Sequence, residues 1–300
     1  MFVKEANCTI DRKLKHQREV LHLLRSKGGP KPGHILRQKI PIKLTACDTS
    51  IVGYAEIDLV MHCGSSTLGE YVNTLSATEI SSGWREGEAI MGKSQEHSFW
   101  ALKEIRARAP FDWKGIDSDN GSEFINQIFY KYCQREKLEF TRSRPYRKND
   151  NAYVEQKNWT HVRKIFGYQR YDTYEELSIM NDLYHNELRL YKNFFQPVMK
   201  LKSKERVGGR IKRKYEVAKT PYQRLMESGQ IRDEVRDKLQ GIYLSLNPAR
   251  LKRNIDAKLD KLYEAYAGKG KARQVNPHKR LSHHSVTFYM IQQPAVGLPA

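Results

Sequence analysis

The chain has 300 residues, 39% of them hydrophobic, enough for one substantial core with smaller additions. Its 53 Lys and Arg against 34 Asp and Glu leave a formal charge of +19, a field that favours a polyanionic partner, nucleic acid first among them. No apolar run approaches the roughly 18 to 20 residues that cross a bilayer, the start lacks the apolar stretch of a secretion signal, and Cys8, Cys47, Cys63 and Cys133 show no paired metal or disulfide spacing, so a soluble, cytoplasmic protein with no membrane partner is expected.

Residues 1–47 are polar and basic. An amphipathic stretch at Val20, Leu21, Leu23 and Leu24 predicts a helix, and Gly28, Gly29, Pro30, Pro32 and Gly33 predict a linker after it. From Tyr54 to Cys63, Ala55, Ile57, Leu59, Met61 and Cys63 alternate with Tyr54, Glu56, Asp58, Val60 and His62, the period of a strand. Runs near 70–78 and 84–91 continue it as an antiparallel meander. Helix and strand then alternate: a helix at Phe99, Leu102 and Ile105, a strand at Trp113–Ser118, a helix at Ile125, Ile128, Phe129 and Tyr132, and a strand at Glu139–Ser143. A helix over 150–166 follows, then a long one opened by a capping box from Thr173 to Glu176 and carrying Leu177, Met180, Tyr184, Leu188 and Tyr191. Residues 48–195 therefore read as an α/β unit, a mixed sheet flanked by helices.

Beyond it, residues 200–214 hold eight Lys or Arg against one Glu, with Gly208 and Gly209 among them, and read as an exposed basic loop. Thr220-Pro221 and Asn247-Pro248 each open a helix, which makes 196–266 a basic loop with a helical C-terminal region. Residues 267–300 have no clear period and read as a disordered tail.

In the 150–166 helix, Ala152, Glu155, Trp159, Val162 and Phe166 form a stripe at spacings of 3, 4, 3 and 4, so one inward member is a carboxylate. Such a group must meet a cation, accept strong hydrogen bonds or rise in pKa. A salt bridge to Arg142 or Arg144 would satisfy it. The alternative brings in two more acids, Asp58 in mid-strand and Asp119 at a strand end, just before the Asn120-Gly121 turn. Carboxylates gathered from strands and a facing helix repel one another unless hard divalent cations such as Mg²⁺ neutralise them, and two such ions about 4 Å apart clamp the attacking and leaving oxygens of phosphoryl transfer.

Three segments carry a resemblance: Glu56-Ile-Asp58-Leu, Ile116-Asp-Ser-Asp119-Asn-Gly-Ser-Glu-Phe124, and Ser143-Arg-Pro-Tyr-Arg-Lys-Asn-Asp-Asn-Ala-Tyr-Val-Glu155. They resemble the motifs of the ribonuclease H-like integrase core shared by retroviral integrases and bacterial insertion-sequence transposases. The 35 residues between Asp119 and Glu155 match that superfamily's spacing. The resemblance covers about residues 48–195, and the following helices also look like the C-terminal part of such transposases. It implies a ribonuclease H-like mixed sheet and metal-dependent DNA cleavage and strand transfer at Asp58, Asp119 and Glu155. Two Mg²⁺, for which Mn²⁺ can substitute, are implied, with Asp58 bridging both and Asp119 and Glu155 each holding one. Water attacks in cutting and the freed 3′-hydroxyl in joining, without a covalent enzyme intermediate. Double-stranded DNA, as transposon ends and target, and a homo-oligomer on that DNA are the implied partners.

Arg147, Lys148, Lys157 and Lys164 surround the Glu155 motif and are candidate phosphate contacts, Lys148 and Lys157 foremost; Lys212, Arg213 and Lys214 are candidates in the basic loop. Asp117, Glu56 and Glu123 are expected to be structural, and His62 to be a packed histidine. The N-terminal zinc module of retroviral integrases has no counterpart here, and residues 1–44 hold no more than a remnant of a helix-turn-helix pair. Two other readings stand beside this one: a non-catalytic DNA-binding protein derived from a transposase, and a nuclease on the same fold that cuts without joining.

Overall fold

The computed structural model describes residues 33–42, 50–144 and 152–273. The amphipathic stretch at 20–24, Arg147, Lys148 and residues 274–300 lie outside the described residues. Within the expected Gly/Pro linker, helix α1 (Gly33–Lys39) forms, because Leu36 and the following Ile40 give it an apolar face to bury in the core.

Three antiparallel strands, β1 (Tyr54–Met61), β2 (Val72–Glu79) and β3 (Arg85–Met91), open the main unit. Helix α2 (Gln95–Arg108) leads to β4 (Gly115–Ser118), and helix α3 (Gln127–Arg135) leads to β5 (Glu139–Arg142). Both of these strands run parallel to β1, giving the order β3-β2-β1-β4-β5. A parallel neighbour needs a crossover connection, which α2 and α3 supply. This is the expected mixed sheet flanked by helices, with a helical C-terminal region beyond it.

Both faces of the sheet are covered. On one, Ala55, Ile57, Leu75, Ala77, Ile116 and Phe140 pack against Leu102 and Ile105 of α2 and Phe129 and Cys133 of α3. On the other, three consecutive segments form one helical run, α4: an α-helical Ala152–Lys157, a π-helical Asn158–Arg163 and a last α-helical turn, Lys164–Phe166. Helix α5 (Tyr174–His185) follows with its capping box at Thr173 and Glu176 intact. Where one long helix is predicted, the chain breaks at Asn186 and continues as α6 (Glu187–Leu190) and a π-helical Tyr191–Phe195. Val162, Phe166, Met180 and Leu183 bury against Val60, Val72 and Ala89. The polar face of β1 is thus no solvent face: Glu56 and His62 are buried, and His62 meets Thr74 Oγ1 at 2.9 Å.

The stretch 200–214 is not a loop. It is a β-hairpin of β6 (Leu201–Val207) and β7 (Arg210–Tyr215), turned at Gly208 and Gly209, with Gly208 at φ +60. Every β7 side chain is exposed, so charge set the solvation while Val207, Ile211 and the glycine turn set the conformation. Helices α7 (Pro221–Glu227), α8 (Asp233–Ser245) and α9 (Pro248–Arg273) complete the chain, α9 running through 267–273, where a tail is predicted. It docks on α5 and α6 through Lys258, which pairs with Asp182 and Glu187, and through Lys269, which pairs with Asp172 and Glu176.

Candidate active site

Asp58 lies in the middle of β1, opposite Ser76 of β2. Its Oδ1 accepts a bond from Leu59 N at 2.8 Å and its Oδ2 one from Asn158 Nδ2 at 2.7 Å, so the central acid is tied to the π-helical turn of α4. Asp119 directly follows β4, and its Oδ1 accepts Gly121 N at 2.9 Å, an Asx turn that fixes the side chain at the strand end. Asn120 locks the same turn by donating to Ser143 O at 2.8 Å while its own side-chain oxygen accepts from Arg142.

Glu155 stands on α4, and Glu56 sets where α4 begins. The Glu56 side chain is buried, and its Oε2 accepts the backbone N–H groups of Tyr153 and Val154 at 3.0 Å each. A carboxylate at these otherwise unpaired first-turn donors stabilises the helix start by hydrogen bonds and by the helix dipole. Glu56 and Asp58, on the same face of β1, thus seat α4 over the strand at two points one turn apart.

The inward stripe of α4 differs from the predicted one. Val154, Lys157, Asn158, His161, Val162 and Phe166 are buried, whereas Glu155 is exposed and Trp159 is 50% exposed. The true stripe is rotated by about one residue, because Val154 rather than Glu155 faces the sheet and the π turn shifts the register after Lys157. Glu155 therefore needs no buried salt bridge, and among the described residues it has no ion-pair partner. Arg142 is committed elsewhere, donating to Arg37 O, Ile40 O and Asn120 Oδ1.

The acid that carries the electrostatic penalty is Asp58. Burial, and then repulsion from Asp119, Glu155 and Glu123, push its pKa up to about 7 against the opposing bond from Leu59 N. Four carboxylates from a strand, a strand end, a loop and a helix therefore share one field, with no cation among the described residues acting on Asp58. Glu123 is the member that the sequence reading left as structural: its carboxylate folds over Gly121, where a Cβ would come within 2.6–2.7 Å of it. Asp117, opposite Glu56 in the sheet, accepts a bond from Thr141 Oγ1 at 2.8 Å. Among the described residues, no three Asp, Glu, His or Cys side chains are already closed into a ligand cage. The donor set is nonetheless all hard carboxylate oxygen, the chemistry of Mg²⁺ or Mn²⁺ rather than of a softer metal.

No family model matches the chain. It is 39% identical over 181 residues to "Uncharacterized protein y4rM" of Sinorhizobium fredii. The match takes in 60% of the chain, and the chain spans about half, 51%, of that relative's length. Among solved structures, the catalytic core domain of BIV integrase is 16% identical, with 58% of this chain and 94% of that one covered and a TM-score of 0.36. The HTLV-2 integrase catalytic core domain in complex with magnesium is 14% identical over 57% of this chain and 94% of its own, with a TM-score of 0.38. A simian T-cell lymphotropic virus intasome is 16% identical over 57% of this chain and 53% of its own, with a TM-score of 0.40. Similarity this remote assigns no activity to the chain.

The predicted DNA contacts fall into different places. Lys164 and the hairpin residues Lys212, Arg213 and Lys214 are exposed. Lys157 is not on the open face beside Glu155; it points inward, and burial, followed by Arg85, Lys192, Lys200 and Arg224, lowers its pKa to about 8. Asn158 is the site residue that sequence reasoning did not place; it lies about one helical turn after Glu155, the signal that could have found it, while Glu56, expected to be structural, caps α4. No helix among the described residues is long and apolar enough to cross a membrane.

Proposed function

We propose that the protein is a DNA strand-cleaving and strand-joining enzyme of the transposase/integrase type, with Asp58, Asp119 and Glu155 as catalytic and metal-holding residues. The observation that supports this reading is the field at Asp58: three further carboxylates raise it, and among the described residues no cation offsets them. Structural acids in a protein interior come with counter-charges; these suit a charge brought from outside.

A pair of divalent cations held there, Mg²⁺ or Mn²⁺, would supply charge stabilisation to the attacking and leaving oxygens of a phosphodiester. The chain's own contribution is placement. Asn158 and Leu59 N fix the two oxygens of Asp58, Gly121 N fixes Asp119, and Glu56 fixes the start of the helix that presents Glu155. The exposed Glu155 leaves that side of the site open to a bulky duplex. Cleavage by water would leave a 3′-hydroxyl, and attack by that hydroxyl on a target strand would join the two DNAs.

Double-stranded DNA as transposon ends and target, a homo-oligomer assembled on it, a cytoplasmic setting and origin in a bacterial mobile element belong to the same reading. So does the division into a basic N-terminal region (1–47), a catalytic core (48–195) and a basic hairpin with helices beyond it. The exposed cations Lys164, Lys212, Arg213 and Lys214 suit phosphate contacts. The deciding experiment incubates the protein with labelled terminal DNA, target plasmid and Mg²⁺ and scores nicked ends and joined products separately. Metal-dependent nicking with joining supports the reading; nicking alone makes the protein a nuclease, and DNA binding with neither product makes it a non-catalytic binder.

A further inference from the structure

The outward face of α4 carries an aromatic ring without a partner. Each of the other three tryptophans of the chain is engaged. Trp84 donates to Glu86 Oε1 at 2.8 Å, Trp113 stacks on Phe111 with ring centres 6.1 Å apart, and Trp100 holds the Lys103 ammonium 4.3 Å from its ring centre. The Trp159 ring is half-exposed, and among the described residues its indole meets no hydrogen-bond partner, cation or second ring. A single exposed aromatic is ordinary on a protein surface; the surroundings of Trp159 are not.

Trp159 directly follows Asn158, whose side-chain amide holds Asp58 Oδ2 at 2.7 Å. It also stands four residues after Glu155 on the same exposed side of α4, a spacing that puts helix side chains about 5–6 Å apart at Cβ. The indole is therefore at the rim of the carboxylate site, on its open side. Four residues further on is Arg163, with its guanidinium 4.8 Å from the centre of the exposed Tyr168 ring, and then the exposed Lys164. The helix positions around Trp159 on this surface, Glu155, Gln156, Thr160 and Arg163, are all polar, so the ring is not part of an apolar patch of the kind that docks a protein. Aromatic faces interleaved with cations suit a nucleotide chain, whose bases stack on the rings while its phosphates meet the charges.

We propose that Trp159 stacks on an unpaired base of the DNA strand whose phosphodiester lies at the carboxylates, and so positions that strand for cutting. Inside a duplex both faces of a base are already covered by its neighbours; an indole replaces one of them only at a strand end or where the base has left its pair. The site thus takes DNA that is locally opened beside the bond to be cut. The place of the base next to that bond rests on the strand-cleavage reading, whereas stacking on an unpaired base does not.

The test compares binding of the full chain, without added metal, to a labelled single-stranded oligodeoxynucleotide and to a strand of the same length that has the sugar–phosphate backbone but no bases. The two strands carry the same charge, so contacts to phosphate cancel. Wild type is expected to bind the base-bearing strand at least about fivefold more tightly. Trp159→Ala should lose most of that preference, bind the baseless strand as wild type does, and keep the wild-type salt slope, because stacking releases no counterions. Trp159→Leu, which keeps apolar bulk without a ring, should behave like Trp159→Ala and guards against an unfolded variant, while Trp159→Phe should retain much of the preference. Equal affinity of wild type for the two strands, or retention of the preference by Trp159→Leu, overturns the proposal. A base preference in a protein that shows no Mg²⁺-dependent cleavage would count against the strand-cleavage reading and leave the stacking site standing; cleavage without a base preference would do the reverse.

Discussion

Two groups of carboxylates sit on the same sheet and are treated in opposite ways. On β3, Glu86 and Glu88 are enclosed by basic side chains: Arg189 meets Glu86 at 2.7 Å, and Arg108 and His185 meet Glu88 at 2.8 and 2.7 Å. These partners come from α2, α5 and α6, so the ion pairs also clamp the helices to the sheet edge. Around β1, Asp58, Asp119, Glu123 and Glu155 gather from four places, with amide contacts to Asp58 and Asp119 and, among the described residues, no cation. The first arrangement is complete within the chain, whereas the second has no counter-charge among the described residues.

The largest expected effect separates the two groups by activity. Asp58→Asn, Asp119→Asn and Glu155→Gln should each lower Mg²⁺-dependent strand cleavage by at least about 10³-fold while the protein stays folded and binds DNA within a few-fold of wild type. Glu86→Gln should do the reverse. It leaves Arg189 facing a neutral group in a mostly buried setting and should cost about 2–4 kcal/mol in urea unfolding, with the metal dependence of cleavage retained. Near-normal cleavage by any of the three acid variants would remove that residue from the site.

A smaller effect concerns His62, on the same face of β1 as Asp58 but packed against Phe166 and Tyr171. Burial, then Arg163, lowers its pKa to about 3. The folded protein therefore keeps it neutral while the unfolded chain protonates near 6.5. Its contribution is fully present above pH 6.5 and is lost as pH falls from there toward 3, at about 1.4 kcal/mol per pH unit. His62→Gln, which does not titrate, should show a shallower loss of stability between pH 6 and pH 4; parallel curves for the two proteins would contradict the assignment.

Removal of the cap at the start of α4 comes next. Glu56→Ala should cost about 1–2 kcal/mol and raise the Mg²⁺ concentration needed for half-maximal cleavage, because Glu155 loses its fixed presentation. Glu56→Gln keeps an acceptor oxygen and should recover most of both. The smallest effect is at the hairpin, where Lys212→Ala, Arg213→Ala and Lys214→Ala together should weaken binding to unrelated DNA sequences alike and flatten the salt dependence by about two to three counterions. An unchanged salt slope would mean that the hairpin is only a solvated surface.

Much of this was legible before any coordinates. Strict alternation at Tyr54–Cys63, the capping box at Thr173 and the proline-led helices after Thr220 and Asn247 are local signals, and each appears where it was expected. What escaped depended on partners distant in sequence. Glu155 was read as inward because Ala152, Trp159, Val162 and Phe166 share its period, but the π turn at Asn158–Arg163, held over Asp58, re-aims the helix. Lys157 was read as a phosphate contact beside Glu155, and only its burial in the folded chain reveals otherwise. In the hairpin, the eight cations masked a pairing that Gly208, Gly209, Val207 and Ile211 encode.

The most direct test of the carboxylate site is the thermal stability of metal-free protein as Mg²⁺ is added at neutral pH, for wild type beside Asp58→Asn. An uncompensated acid cluster that accepts a divalent cation should give a saturable rise in Tm for wild type and little or none for the variant, which starts at equal or higher Tm because one repelling charge is gone. Equal responses in the two proteins, or no response in either, would contradict the claim that Asp58, Asp119 and Glu155 form a metal site.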